Sequence, residues 1–184
     1  RDRWQKPAEL VRTLALQPGE AVADIGAGSG YLLPHLSRAV GPRGKVYAEE
    51  IQDAYFPMLE ARAKQLANVR VVEGRPEDPG LPPGSVDCFV LLTVYHEVQR
   101  PVEFLKTLHR SARPGARLAV IDFDAARKGN PPAPLGHEVA EAVVIEEARQ
   151  AGWELAQRHS LLYGSSQFFL VFRPRGQLSS LRRP

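Results

Sequence analysis

The sequence predicts an α/β protein built on a doubly wound, mostly parallel sheet with helices on both faces. Three observations predict it. Runs of apolar and β-branched residues alternate with stretches of 3.6-residue periodicity through five successive units. That alternation demands right-handed crossovers, and hence parallel strands. The first, second, fourth and fifth strands are apolar throughout, as burial on both faces requires. Finally, a glycine-rich turn, VADIGAGSGY over 22–31, sits between the first strand and a helix.

The elements follow in order. KPAELVRTLALQPG reads as an amphipathic helix, with Pro7 in its first turn and Gly19 past its end. A first strand spans about Glu20 to Ala27, and the glycine turn then opens a helix, GYLLPHLSRAVG. GKVYAEEI is a second strand, DAYFPMLEARAKQLA a helix, and NVRVVEG a third strand. After a proline-rich loop, RPEDPGLPPGS, comes a fourth strand, VDCFVLLTVY, and then the helix RPVEFLKTLHRSARPG, closed by Pro114-Gly115. ARLAVIDF is the fifth strand. The loop DAARKGNPPAPLGH leads to a helix, EVAEAVVIEEARQAG. The last runs, WELAQRHSLLY and SQFFLVFRP, flank Gly164 and two serines as a hairpin that adds an antiparallel strand.

At 184 residues the chain suits one domain, expected over 1–174, with a flexible basic tail over 175–184. Its 43% hydrophobic and 24% charged content is that of a globular protein. No run approaches the roughly 20 apolar residues of a membrane helix. A signal-peptide pattern is absent too, so the cytoplasm is the default location, although a leader removed ahead of Arg1 stays open. Cys88 lies inside an apolar strand and reads as a small buried hydrophobe. The formal charge of +3 becomes −1 once Arg173, Arg175, Arg182 and Arg183 near the end are set aside, so no nucleic-acid surface is expected.

In an open parallel sheet, ligands bind beyond the carboxyl ends of the strands. Glycines there let a ligand approach the main chain, because no Cβ intervenes. The spacing of Gly26, Gly28 and Gly30 is G-x-G-x-G, which departs from the dinucleotide pattern G-x-G-x-x-G. Asp24, two residues ahead, would repel a pyrophosphate and suit a ligand carrying an ammonium group. Glu49 and Glu50 stand at the end of the second strand, where a carboxylate grips the hydroxyls of a ribose. Alternation does not decide between them; Glu50, directly before Ile51, is taken as the ribose ligand.

These residues resemble the class I S-adenosylmethionine-dependent methyltransferases. VADIGAGSGY is similar to their first motif, D-x-G-x-G-x-G after a hydrophobic run; VYAEEI to the second-strand motif; EDPGLP to the adenine loop D-A-x-x-L-P; and ARPGARLAVIDF to the approach to strand five. WQKP near the start, with YH after strand four, resembles a bacterial subgroup. The resemblance implies a seven-stranded sheet of order 3-2-1-4-5-7-6 with strand seven antiparallel. S-adenosylmethionine is the implied cofactor, leaving as S-adenosylhomocysteine. It further implies that Asp24 serves the methionine part, through water, with Gly26, Ala27, Gly28 and Gly30 forming the cradle and Tyr31 flanking it. Glu50 would take the ribose, Ile51 the adenine face, Glu77 the adenine amine and the Asp78 N–H the ring, while Thr93 borders the cofactor. Aligned on Gly74 instead of Leu81-Pro82, the adenine positions fall on Arg75 and Pro76; the Leu81-Pro82 alignment is preferred.

The acceptor belongs beside the sulfonium, at the ends of strands four and five. Tyr95, His96 and Glu97 point toward or border that space. His96 is the candidate catalytic residue, because an imidazole titrates near neutral pH. Asp122, Asp124 and His137 are candidates for shaping the pocket, and Trp4 for a lid or, preferably, an anchor. No H-E-x-x-H pair occurs and no metal site is expected.

The sequence therefore predicts a methyltransferase acting on an O, N or C atom of a small molecule, as a monomer or homodimer. A catalytically silent cofactor-binding protein is the alternative. An NAD-dependent oxidoreductase is disfavoured by the glycine spacing and Asp24, and arsenic methylation by the lack of thiols.

Overall fold

A computed structural model of the chain describes residues 1–162 and 166–176. Its strands are β1 (Ala21–Ile25), β2 (Lys45–Glu50), β3 (Val69–Glu73), β4 (Val86–Leu92), β5 (Ala112–Asp124), β6 (Glu138–Val139), β7 (Trp153–Arg158) and β8 (Gln167–Pro174). They form one sheet of order β3-β2-β1-β4-β5-β8-β7, with β6 beside β5. β1 to β5 run parallel, and β8 is antiparallel to both β5 and β7. The expected order thus holds, shifted by one number because the two-residue β6 precedes the final hairpin. Residues 163–165 of the hairpin's turn, and 177–184 of the basic tail, lie outside the described residues.

The helices are α1 (Asp2–Gln5), α2 (Pro7–Thr13), α3 (Leu33–Val40), α4 (Phe56–Ala63), α5 (Pro101–Ser111) and α6 (Glu141–Gln150). Strand alternation sorts the core into two layers. Ala23, Phe89, Val120 and Phe168 face one side of the sheet, where they meet Leu105 and Leu108 of α5 and Val144 of α6. Val22, Val90, Ile121 and Phe169 face the other, against Leu10 of α2, Leu36 of α3 and Leu59 of α4. All these side chains are buried, and each except the small Ala23 contributes roughly 1.5–3 kcal/mol on leaving water. Trp153 closes the first layer, its indole N–H donating to the Leu105 carbonyl at 3.0 Å.

Several boundaries differ from the sequence reading. The expected first helix, α2, is preceded by a further short one, α1, and Lys6, with a left-handed φ of 48°, separates the two; β4 ends at Leu92, short of Tyr95. α5 stops at Ser111 because Ala112 is already extended and pairs with Val86; the residues through Ala116, including Pro114-Gly115, bulge out before Arg117 pairs with Cys88. Glu138 and Val139 pair with Phe123 and Asp124 instead of opening the last helix, which begins at Glu141. That pairing returns the long loop to the carboxyl end of β5.

Candidate active site

The carboxyl ends of β1, β2 and β4 surround a cavity of ≈ 320 Å³, the place where a doubly wound sheet offers its crevice. Its floor is the turn from Gly26 to Ser29. Gly26 (φ +63°) cannot carry a side chain, since a Cβ would stand 2.7 Å from a Val94 methyl. Gly28 (φ +55°) is different: a Cβ there meets no protein atom within 4 Å. Its bare face therefore opens onto ligand space. Gly30 turns the chain towards α3 and does not line the cavity. Its N–H donates to the Ala27 carbonyl, and its own carbonyl accepts Arg62 Nη1 at 2.9 Å.

Three buried acids stand around that floor. Asp24 is 3% exposed, and burial raises its pKa to about 7, with the Arg1 charge opposing. Glu49 is 2% exposed; burial pushes it up to about 8, against the Gly26 N–H that its Oε2 accepts at 3.0 Å. Gly74 makes the room for it, because a Cβ there would collide with Glu49 Oε1. Glu50 is held differently. Its Oε2 accepts the Gly28 N–H at 2.7 Å, and its Oε1 accepts the N–H groups of Ile51 at 2.8 Å and Gln52 at 2.9 Å. Successive residues of β2 leave on opposite faces, yet Glu49 and Glu50 both line the cavity at the strand's end.

Ile51, 47% exposed, and Tyr55 form an apolar rim. Arg75 and Pro76 line the wall beside them, whereas Glu77 and Asp78 do not. Glu77 pairs with Arg100 at 2.7 Å in the open. The Asp78 N–H already donates to the Arg75 carbonyl, and its Oδ1 accepts the Gly80 N–H. The cavity wall is thus formed by the positions that the alignment on Gly74 selects, on a loop shaped by the short Arg75–Asp78 bridge. At the opposite end Tyr31 donates its hydroxyl to Asp2 at 2.8 Å, and the Arg1 guanidinium stacks 4.4 Å from its ring centre.

Thr93 lines the cavity with a φ of 58°, a costly conformation for a β-branched residue. Its N–H donates to the Ile121 carbonyl at 2.7 Å and its hydroxyl to the Leu92 carbonyl at 2.6 Å, which hold the strain in place. A 3-10 turn, Tyr95–Glu97, follows. Tyr95 is directed away from the cavity into the core, its hydroxyl donating to Glu147 at 2.6 Å. Glu97 lines the cavity. His96 stands behind it, its side chain 5% exposed, with Nδ1 2.9 Å from Asp122 Oδ1 and its backbone N–H donating to Asp122 Oδ2 at 3.1 Å. The hydrogen bond to Asp122 raises the His96 pKa, against burial. His137 reaches Nε2 of His96 at 3.0 Å. Asp124 instead pairs with Arg127 at 2.9 Å, and Trp4 packs on Phe123 as an anchor, its ring 6.4 Å from the phenyl.

Residues 23–120, more than half the chain, match a family model described as a methyltransferase domain. The chain belongs to the methyltransferase-domain family. A crystal structure of an S-adenosylmethionine-dependent methyltransferase from Aquifex aeolicus superposes with a TM-score of 0.84 at 28% identity, covering 93% of this chain and 92% of that one. A TehB-like methyltransferase from Corynebacterium glutamicum shares the fold, with a TM-score of 0.71 at 17% identity and 95% of each chain covered. Among curated sequences, the ubiquinone/menaquinone biosynthesis C-methyltransferase UbiE of Salmonella arizonae is 30% identical over 108 residues, 57% of this chain and 43% of that protein. The chain thus spans less than half the length of the curated relatives it matches.

Membership makes this a class I methyltransferase fold, whose cofactor is S-adenosylmethionine. The residues present fit that group. Three carboxyl groups about one cavity, of which Asp24 and Glu49 are held back from ionising by burial until a cation faces them, suit a nucleoside bearing an ammonium and a sulfonium better than a pyrophosphate. Gly28 leaves the close approach that such a ligand needs. No described helix is long and apolar enough to cross a membrane. Sequence reasoning passed over Arg1, Glu49 as a second buried acid, and the wall at Arg75 and Pro76. Only the Gly74 alignment held a signal for the last.

Proposed function

We propose that the protein transfers the methyl group of S-adenosylmethionine to an O, N or C atom of a small-molecule acceptor. The observation that carries this reading is the bare Gly28 face ringed by Asp24, Glu49 and Glu50. When bound, S-adenosylmethionine supplies an electrophilic methyl carbon on a positively charged sulfur. Asp24 meets the ammonium of the methionine portion, and Tyr31 with Arg1 closes that end. The cradle of Gly26, Ala27 and Gly28 lies against the same portion, with Gly30 setting its bend. Glu50 accepts from the ribose hydroxyls while keeping its backbone donors, since a carboxylate has about four acceptor sites. Ile51, Tyr55 and Pro76 enclose the adenine, and Glu77 and Asp78, turned outward, are not given that role. Thr93 holds its strained turn beside the sulfonium.

The acceptor enters past Val94 and Glu97. Displacement at a methyl carbon demands alignment and exclusion of water. His96, oriented by Asp122, is the group we assign to the acceptor's nucleophilic atom. A small acceptor is favoured by the cavity itself, ≈ 320 Å³ and walled by the ends of three strands. We place the protein in the cytoplasm by default, as a monomer or homodimer. A screen of small-molecule acceptors with radiolabelled methyl donor tests the proposal. Label transfer to a phenol, amine or activated carbon supports it; S-adenosylhomocysteine binding without transfer to any acceptor would replace it with a silent binding protein.

A further inference from the structure

Three metal-ligating side chains converge beside the cavity, from positions whose spacing gives no metal motif. His96 Nε2 lies 3.0 Å from His137 Nδ1 and 3.7 Å from Glu97 Oε1, and the three ligand atoms lie within 4.8 Å of one another. Ligands of a tetrahedral Zn²⁺ at about 2.0–2.1 Å stand roughly 3.3 Å apart. The two shorter separations bracket that value.

A second feature concerns the ring behind the cluster. Asp122 is fully buried and accepts from His96 twice, at Nδ1 and at the backbone N–H, and from the Phe123 N–H at 2.8 Å. Its carboxylate therefore holds the Nδ1–H tautomer and leaves the lone pair on Nε2, which faces Glu97 and His137. Outer carboxylates orient metal-bound imidazoles in this way. The fold spends an additional element on the arrangement: the pairing of β6 with β5 carries His137 back across 41 residues to the end of the sheet.

We infer that His96, Glu97 and His137 bind one first-row divalent metal ion. Two imidazoles and one carboxylate suit Zn²⁺, and three protein ligands leave its fourth position open. Glu97 borders both this cluster and the cavity, so that position adjoins the space given above to the acceptor, and with the ion bound His96 would act on the acceptor through that position instead of by its own Nε2. Only this last point rests on the proposed function; ion binding does not.

The test uses the full chain, stripped with chelator and titrated with Zn²⁺ by calorimetry, with S-adenosylhomocysteine affinity measured on the same samples. One equivalent should bind. His137→Ala, a change on an exposed loop, should weaken Zn²⁺ affinity at least 100-fold, and Asp122→Asn about 10–100-fold. Co²⁺ should give the visible absorption of a tetrahedral site, lost in His137→Ala, while S-adenosylhomocysteine affinity stays as in the parent chain. Absence of stoichiometric Zn²⁺ binding, or binding unaffected by His137→Ala, would overturn the inference and leave a hydrogen-bonded imidazole pair. Loss of S-adenosylhomocysteine binding in the parent chain would instead count against the proposed function.

Discussion

Glu50 Oε2 accepts the backbone N–H of Gly28 at 2.7 Å, tying the end of β2 to the turn after β1. The residue assigned to the ribose thereby also sets the shape of the cradle. Glu50→Gln removes the charge from three hydrogen bonds, each worth about 1.5–3 kcal/mol when charged. The melting temperature should fall by several degrees, since these bonds lie within the folded chain, and with the cradle untied affinity for S-adenosylhomocysteine should fall by roughly 10- to 100-fold. An unchanged dissociation constant would remove Glu50 from the cofactor site.

Gly26 and Gly28 separate stability from binding. Gly28→Ala places a methyl in open space at a φ of +55°, a strain of about 1–2 kcal/mol, and obstructs the ligand's approach. Gly26→Ala drives a methyl into Val94. Thermal melts paired with calorimetry should show Gly28→Ala losing affinity more than tenfold on a modestly less stable fold, and Gly26→Ala losing stability more severely. The reverse order would contradict the geometry.

Asp24 and Glu49 predict how stability depends on pH. Their folded pKa values, about 7 and about 8, lie above the ordinary carboxylate values of 3.8 and 4.5, so between those limits the folded chain holds protons that the unfolded chain has released. The stabilising contribution is full below about pH 4 and is lost as pH rises through 7 to 8, on the order of a few kcal/mol. Without cofactor, the melting temperature should therefore drop between pH 5 and 9, less so in Asp24→Asn. A cationic ligand favours ionised Asp24, so binding near pH 6 should release a proton, which calorimetry in buffers of different ionisation enthalpy reads. A melting temperature that climbs over this range would refute the assignment.

His96 does not line the cofactor cavity. A group acting on the acceptor's nucleophilic atom is worth about 10²–10⁴ in rate. Once an acceptor is in hand, His96→Ala should lower kcat by that order while leaving S-adenosylhomocysteine affinity within about twofold. Loss of affinity would move His96 into the cofactor shell.

Features recorded locally were legible in the sequence. Gly26, Gly28 and Asp24 announce the turn because its chemistry and the strand before it are contiguous, and the continuous apolar runs of β1, β4 and β5 display the sheet. What stayed hidden depends on contacts distant along the chain. Glu49 is a buried acid only because Gly74, 25 positions on, leaves space for it. Glu77 turns outward because Arg100 meets it and the Arg75–Asp78 bridge bends the loop. His137 joins His96 through a two-residue strand too short to give a pattern. Pro114-Gly115 imitates a helix end, whereas the register of β5 on β4 absorbs the same residues as a bulge.

On the function proposed, the space over the glycine turn accepts an amino-acid-bearing sulfonium nucleoside and not a dinucleotide. Isothermal titration of the full chain with S-adenosylhomocysteine and, separately, with NAD tests it most directly. One equivalent of S-adenosylhomocysteine should bind, with no heat from NAD; binding of NAD without S-adenosylhomocysteine would contradict the account.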